Sequence, residues 1–123
     1  MYQENILDHY ESPRNFGHLA EFDVKAHDSN PLCGDVFDME FRFNNGTIAY
    51  VKFTGHGCAI STASASMLTE KIKMLDVEKA LKLEKDDVLE LLGIEISHVR
   101  IKCALLPLKI IKLGIYEYIS KKK

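Results

Sequence analysis

The sequence predicts an α+β fold, in which a small antiparallel sheet, a hairpin plus a short third strand, packs against several helices. Three observations support this prediction. A chain of 123 residues is the size of one compact domain. Its composition, 46% hydrophobic and 28% charged, suits a protein that buries a core. Segments with strand periodicity come first, and segments with helical periodicity follow. We therefore expect residues 1–123 to form a single domain, with Lys121–Lys123 as a flexible, solvated tail.

The N-terminal segment predicts a short amphipathic helix, because Tyr2, Ile6 and Tyr10 recur at i, i+4 spacing. Pro13 ends this helix and begins a loop. A short strand is expected around residues 21–27.

A β-hairpin is the clearest structural signal. Apolar and polar residues alternate along residues 37–43, which is the period of a strand. Asn-Asn-Gly at residues 44–46 is a strong hairpin turn. The partner strand that follows is predicted to place Ala49, Val51 and Phe53 on one face.

Four helices are predicted after the hairpin. The first is rich in Ala and Ser, so we expect it to pack closely through its small residues. Acidic residues are expected to cap the next two helices, and the last has a wide apolar face. The predicted helices span 59–73, Asp76 to Leu81, Asp86 or Asp87 to near Gly93, and Ala104 to Tyr118.

Charge and targeting signals exclude several classes of protein. The net charge of -2 argues against a dedicated nucleic-acid binder. The most apolar stretch, residues 104–119, is short for a membrane span and carries charged side chains. No secretory signal is visible, and an odd count of three cysteines cannot close a complete disulfide framework. A reducing, cytoplasmic setting is therefore expected.

The three cysteines lie at predicted boundaries between elements. Cys33 lies in a turn before the hairpin, Cys58 where the second hairpin strand gives way to a helix, and Cys103 at the start of the last helix. Side chains at such boundaries can converge at one end of a sheet. Helix N-termini, and Lys102 beside Cys103, would favour thiolates. Asp35 could add an oxygen ligand.

Three thiolates and one carboxylate would suit zinc or an iron-sulfur unit. The residues alone leave other interpretations open. A free cysteine is often a small buried hydrophobe. Cys103 or Cys58 could serve with a histidine as the nucleophile of a Cys-His-Asp hydrolase. A purely structural zinc domain is a further alternative.

Four segments resemble the IscU/NifU-type iron-sulfur cluster assembly scaffolds, the NifU N-terminal domain family. They occur in the family's order along almost the whole chain. They are Tyr2 to Gly17 with Asp8-His9-Tyr10 and Pro13-Arg14-Asn15-Phe16-Gly17, then Asn30-Pro31-Leu32-Cys33-Gly34-Asp35, Gly57-Cys58-Ala59-Ile60-Ser61, and Arg100-Ile101-Lys102-Cys103-Ala104.

The resemblance implies a non-catalytic scaffold that holds a transient [2Fe-2S] cluster and transfers it to apo-proteins. Cys33, Cys58 and Cys103 match the family's cluster cysteines, and Asp35 matches its aspartate. A cysteine desulfurase would supply sulfur as a persulfide, with Cys103 or Cys33 as acceptor, and an electron donor would complete its reduction. Fe2+ would enter the same site, and Zn2+ could occupy it. The resemblance leaves open whether one chain holds the cluster or two chains bridge it.

Two departures from the family pattern leave an alternative function. Lys102 stands where IscU proteins have a histidine, and lysine there is the pattern of the SufU branch. SufU-like proteins resemble zinc-bound sulfur acceptors that build no cluster, yet they carry an insertion for which the interval from Cys58 to Cys103 looks too short. Residues 96–100 also lack the Leu-Pro-Pro-Val-Lys chaperone motif. His98 is a minor candidate to replace the missing histidine, and His56 is expected to have a loop-surface role.

Overall fold

The computed structural model describes residues 4–121 and confirms the predicted α+β fold. Part of the predicted first helix (Tyr2) and part of the predicted tail (Lys122 and Lys123) lie outside the described residues. Lys121 is the last residue of the final helix. The elements are α1 Glu4–Glu11, β1 Val24–Asn30, β2 Asp35–Asn44, β3 Thr47–His56, α2 Ala59–Ile72, α3 Val77–Leu81, α4 Lys85–Leu92 and α5 His98–Lys121.

The three strands form one antiparallel sheet in the order β1-β2-β3. The predicted hairpin is confirmed: Asn45 and Gly46 join β2 to β3 with φ angles of 50° and 83°, as a type I′ turn requires. The third strand is also present, although it begins at Val24, three residues later than predicted.

A bulge at the hairpin corrects the predicted core face of β3. Arg42 pairs with Tyr50, but the next residue, Phe43, pairs with Ile48. Ala49 is therefore the extra residue, and Ile48 takes its place on the buried face with Val51. The prediction of Ala49 on that face was wrong, because the apolar–polar alternation of a regular strand does not reveal where a bulge inserts an extra residue.

Two helices cover the inner face of the sheet. α2 is buried along almost its whole length, including Ser61, Ser64 and Ser66, so the predicted packing through small residues is confirmed. The Ser64 hydroxyl donates to the Ala104 carbonyl at 2.6 Å and joins α2 to α5. α5 approaches the sheet closely at Gly114, where an added Cβ would lie 2.4 Å from the Phe41 ring.

The starts of two helices differ from the predictions. α4 begins at Lys85, with Glu84 as its N-cap; Asp87 is the third residue of a reciprocal capping box rather than the cap itself. Its predicted end at Gly93 is confirmed by a left-handed φ of 70°. α5 begins at His98 instead of Ala104. Its first turn is largely exposed, so apolar periodicity begins only later along the helix.

The first helix is fixed to α2 by polar contacts. His9 Nδ1 lies 2.6 Å from Ser66 Oγ, which also accepts the Arg14 backbone N–H at 2.9 Å. Burial lowers the pKa of His9, and the Arg14 charge lowers it further, against smaller raising effects of Glu70 and Asp8. No helix within residues 4–121 is long and apolar enough to cross a membrane.

Replacing Gly114 with alanine tests the contact between α5 and the sheet. At an exposed position inside a helix, replacing glycine with alanine stabilises the helix by about 1 kcal/mol. Here the new methyl group would collide with the Phe41 ring, so we expect a loss of about 1–3 kcal/mol in the free energy of unfolding, measured by urea denaturation. Ser120→Ala, at an exposed position of the same helix, is the control. A stabilised Gly114→Ala variant would contradict this packing.

The partly buried His9 predicts a pH dependence of stability. Its pKa in the folded protein is below the ordinary 6.5, so the unfolded chain binds the proton more readily around that pH. The contribution of His9 to stability is therefore present at pH above 6.5 and is lost as the pH falls below it. Between about pH 7.5 and 5.5, the metal-free protein should lose more stability than His9→Gln. Parallel pH profiles for the two proteins would show that burial of His9 has no such effect.

Candidate metal centre

The end of the sheet where β1 meets β2 supplies the first two candidate ligands. Asn30 pairs with Asp35 across the two strands, and residues 31–34 form the turn between them. Gly34 adopts a φ of 73°, which a residue without Cβ allows at little cost. The turn leaves Cys33 partly exposed, whereas Asp35, at the start of β2, is buried.

Cys58 supplies a further thiol at the start of α2, where its backbone N–H donates to Asp35. It is the N-cap of α2, with φ −72° and ψ 173°, and its Sγ accepts the Ser61 backbone N–H at 3.5 Å. This confirms the predicted position of Cys58 at a helix N-terminus. Gly57 precedes it, where an added Cβ would lie 2.3 Å from Ser61 Oγ and 2.5 Å from Asp35 Oδ1, so the chain has no room there for a side chain.

Cys103 occupies a different environment from the one predicted. Because α5 begins at His98, Cys103 lies in the second turn of the helix and is fully buried. Burial raises the pKa of the Cys103 thiol, as do the neighbouring Cys33 and Asp35 side chains and the negative charge of Cys58. The prediction of a thiolate favoured by a helix terminus and by a neighbouring lysine was therefore wrong for Cys103 in the metal-free protein.

Three of the four predicted ligands converge. Cys33 Sγ, Cys103 Sγ and a carboxyl oxygen of Asp35 all lie within 4.8 Å of one another. Cys58 Sγ is outside this group, although the charge of Cys58 acts on the Cys103 pKa and its backbone N–H donates to Asp35. The expected convergence is thus observed for Cys33 and Asp35, which lie between two strands, and for Cys103, although Cys103 comes from the second turn of α5 and not from an element boundary.

The two carboxyl oxygens of Asp35 differ, because one accepts hydrogen bonds and the other has no partner. Oδ1 accepts the Cys58 backbone N–H at 2.9 Å and the Ser61 hydroxyl at 3.0 Å. Oδ2 is buried and has no hydrogen-bond partner among residues 4–121. Leaving a buried polar atom unpaired costs about 1–3 kcal/mol. A carboxyl oxygen held in this way beside two thiols is suited to bind a cation.

Two supporting residues were not singled out from the sequence. Ser61 orients Asp35, and the Asn30 side-chain amide donates to Cys103 Sγ at 3.7 Å. Asn30 begins the motif that contains Cys33, so its position could have indicated a role. Ser61 gave no distinguishing signal, because α2 contains several serines that looked equally suited to packing.

The lysine and histidines near the cysteines do not join the ligand group. Lys102, His56 and His98 are exposed, and none belongs to the cluster of candidate ligands found among the described residues. Lys102 is also absent from the groups that act on the Cys103 pKa. The exposed position predicted for His56 is confirmed, and His98 does not replace the missing histidine in this arrangement.

The donor set defines the chemistry open to the site. Thiolate sulfur binds zinc and iron-sulfur units, and an aspartate oxygen can complete a four-coordinate zinc site. Cys33 and Cys58 remain partly exposed, so the site opens to solvent on one side. The fold and the site together define a small α+β domain with a thiol-rich candidate metal site.

Comparison with known proteins identifies the family. The family model described as the NifU-like N terminal domain matches residues 1–123, and the chain belongs to this family. The resemblance of its four sequence segments to that family is thereby confirmed.

Relatives of two kinds are similar over almost the whole chain. The iron-sulfur cluster assembly scaffold protein IscU of Escherichia coli K12 is 34% identical over 126 residues, covering 99% of this chain and 97% of the relative. IscU 1 of Archaeoglobus fulgidus is 33% identical over 121 residues, covering 98% and 78%. The zinc-dependent sulfurtransferase SufU of Bacillus subtilis is 36% identical over 132 residues, covering 94% and 89%.

Solved structures agree with this assignment. The putative SUF-system scaffold protein of Fervidobacterium islandicum matches with a TM-score of 0.80 and 30% identity, covering 93% of this chain and 96% of that one. The N-terminal NifU-like protein of Brucella abortus matches with a TM-score of 0.82 at 18% identity and supports the fold alone.

The different burial of the three thiols predicts selective alkylation. In metal-free folded protein, iodoacetamide should modify Cys33 and Cys58 at least about tenfold faster than Cys103, because Cys103 is buried and its pKa is raised. Peptide mass spectrometry gives the rate at each site, and protein unfolded in urea serves as the control. Equal rates at all three sites in the folded protein would contradict the described geometry.

Proposed function

We propose that this protein is a scaffold on which a transient [2Fe-2S] cluster is assembled and from which it is transferred to apo-proteins. The observation that carries the proposal is the convergence of Cys33, Asp35 and Cys103 within 4.8 Å, with a buried and unpartnered Asp35 Oδ2. A structural role alone would not explain why a carboxyl oxygen is buried without a partner beside two thiols.

The proposed ligands are Cys33, Asp35, Cys58 and Cys103, which would first receive Fe2+. Cys58 would join by exchanging its capping contact with Ser61, which is long at 3.5 Å and therefore weak, for a bond to the metal. Ser61 and the Cys58 backbone would keep Asp35 oriented meanwhile. Partial exposure of Cys33 and Cys58 suits a cargo that must leave again.

Cys33 is our proposed first acceptor of sulfur from a cysteine desulfurase, because it is more accessible than Cys103. The Cys33 thiolate would attack the terminal sulfur of the desulfurase persulfide. A new S–S bond forms on Cys33, the S–S bond of the desulfurase breaks, and its cysteine leaves as a thiolate. No net oxidation occurs in this step. Each transferred sulfur takes up two electrons when it becomes sulfide. For two sulfurs, two of the four electrons come from oxidation of two Fe2+ to Fe3+, and the electron donor supplies the other two.

A zinc-dependent sulfurtransferase is the second candidate function. It is favoured by Lys102, by the lack of a histidine in the ligand group, and by the similarity to SufU. Zn2+ would occupy the same residues while one thiol accepted persulfide. Against this, the alignment with SufU runs over 132 residues and this chain has only 123, so SufU has residues that this chain lacks. In both cases we propose a reducing, cytoplasmic setting.

Anaerobic reconstitution with Fe2+, cysteine, a reductant and a cysteine desulfurase distinguishes the two functions. We expect visible sulfur-to-iron charge-transfer absorption, with sedimentation reporting whether one chain or two hold the cluster. Each of the variants Cys33→Ser, Cys58→Ser and Cys103→Ser should reduce the absorption by at least about tenfold, because each thiolate is a proposed ligand. Met74→Ser, which removes an exposed sulfur away from the site, is the matched control.

One pair of results would contradict cluster assembly. If no visible spectrum develops while the zinc-loaded protein strongly stimulates desulfurase turnover, the function is sulfur transfer without cluster assembly. Zinc in the purified protein would decide neither way, because thiolate-rich sites bind zinc well. If only one of the three cysteines proved indispensable for activity, that result would favour the Cys-His-Asp hydrolase instead.

A further inference from the structure

A shallow groove runs along α5 away from the metal centre. It consists of two adjoining cavities of about 340 and 420 Å³ that share Leu105 and Lys109. One end lies at Asn30, and the other lies at Tyr116. We call this surface the α5 groove; it comprises the face of α5 from Lys102 to Tyr116 with the facing residues of β1 and of the α3–α4 junction.

The floor of the groove is apolar, and part of it is open to solvent. Leu113 is 43% exposed and Tyr116 is 58% exposed, although both are large apolar or aromatic side chains. Leu105 and Leu108 are three residues apart, as are Leu113 and Tyr116, and all four share one face of α5 with Lys109 and Lys112. These apolar side chains are suited to receive the apolar face of another helix.

Basic side chains line the groove. Lys85, Lys102, Lys109 and Lys112 border it, against Glu84 on its own edge and Asp28 alongside. Lys109 Nζ pairs with Asp28 Oδ2 at 2.9 Å. In the described part of the chain, the other three lysines pair with no carboxyl group. The whole chain has a net charge of -2, so the excess of lysines around the groove is a local property of this surface.

We propose that the α5 groove docks an acidic amphipathic helix of a partner protein. From Lys102 to Tyr116 the face is about 21 Å long, which matches a partner helix of about 14 residues. The concave, apolar floor would receive leucine-like anchors, and the lysines would pair with flanking carboxylates. A second copy of the same surface would bring lysines against lysines, and a flat membrane fits a concave groove poorly.

The position of the groove adds a consequence for the metal centre. Its first end includes Asn30, whose amide donates to Cys103 Sγ. A docked helix would therefore lie next to the residues proposed to bind metal. The docking proposal does not rest on cluster assembly, because it uses none of the cysteines, and it can be tested on metal-free protein.

The test uses a synthetic helical peptide of about 14 residues, with leucines at i, i+3, i+4 and i+7 spacing and glutamates on both flanks. We expect NMR shift changes in the ¹⁵N-labelled full chain to cluster on the α5 groove, and binding to weaken with salt. Lys85→Glu with Lys112→Glu should weaken affinity about tenfold, and Tyr116→Ala should weaken it as well. The matched control, Lys52→Glu with Lys71→Glu, reverses two lysines outside the groove and should change affinity less than about twofold.

Several results would overturn the proposal. One is an absence of binding, and another is a shift map centred elsewhere. Equal binding of a scrambled peptide of the same charge would show that only net charge matters. Stronger association of this face with anionic phosphatidylserine vesicles would assign it to a membrane. Concentration-dependent self-association through Tyr116 would assign it to a second copy. Circular dichroism of each variant confirms that the fold is retained.

Discussion

The carboxyl group of Asp35 holds together the part of the molecule where chemistry is expected. Its Oδ1 accepts bonds from the Cys58 backbone and the Ser61 hydroxyl, so the start of β2 is tied to the start of α2. Gly57 lies so close to this junction that a side chain would displace it. Asp35 also follows the turn that contains Cys33, so it lies next to two of the other proposed ligands.

The packing of α5 against the sheet brings the third thiol, that of Cys103, to the site. α5 is fixed against the sheet by the contact between Gly114 and Phe41, and against α2 by the bond from Ser64 to the Ala104 carbonyl. Cys103 is therefore carried on a rigid element, whereas Cys33 lies in a turn and Cys58 at a helix end. A site of this kind combines a fixed, buried ligand with two partly exposed ones. That combination suits the proposed binding and release of a metal cargo.

Local chemistry in the sequence predicted much of this arrangement. Asn45-Gly46 requires the observed turn, and Gly93 ends α4 as expected. The motif from Asn30 to Asp35 indicated the site. Other features depend on tertiary contacts that no local pattern records. These include the bulge at Ala49, the burial of Cys103 inside α5 and the orientation of Asp35 by Ser61. The thiolate prediction for Cys103 was wrong because it placed the helix start six residues too late, and so placed an interior thiol at the helix terminus.

X-ray absorption at the zinc edge tests the central claim most directly, because it identifies the atoms bound to the metal. For one equivalent of zinc on the full chain, we predict three sulfur ligands at about 2.3 Å and one oxygen at about 2.0–2.2 Å. Asp35→Ala should change the oxygen shell and leave the three sulfurs. A shell containing a histidine nitrogen, or one unchanged by Asp35→Ala, would contradict the assignment of Asp35 as the ligand that completes the three thiols.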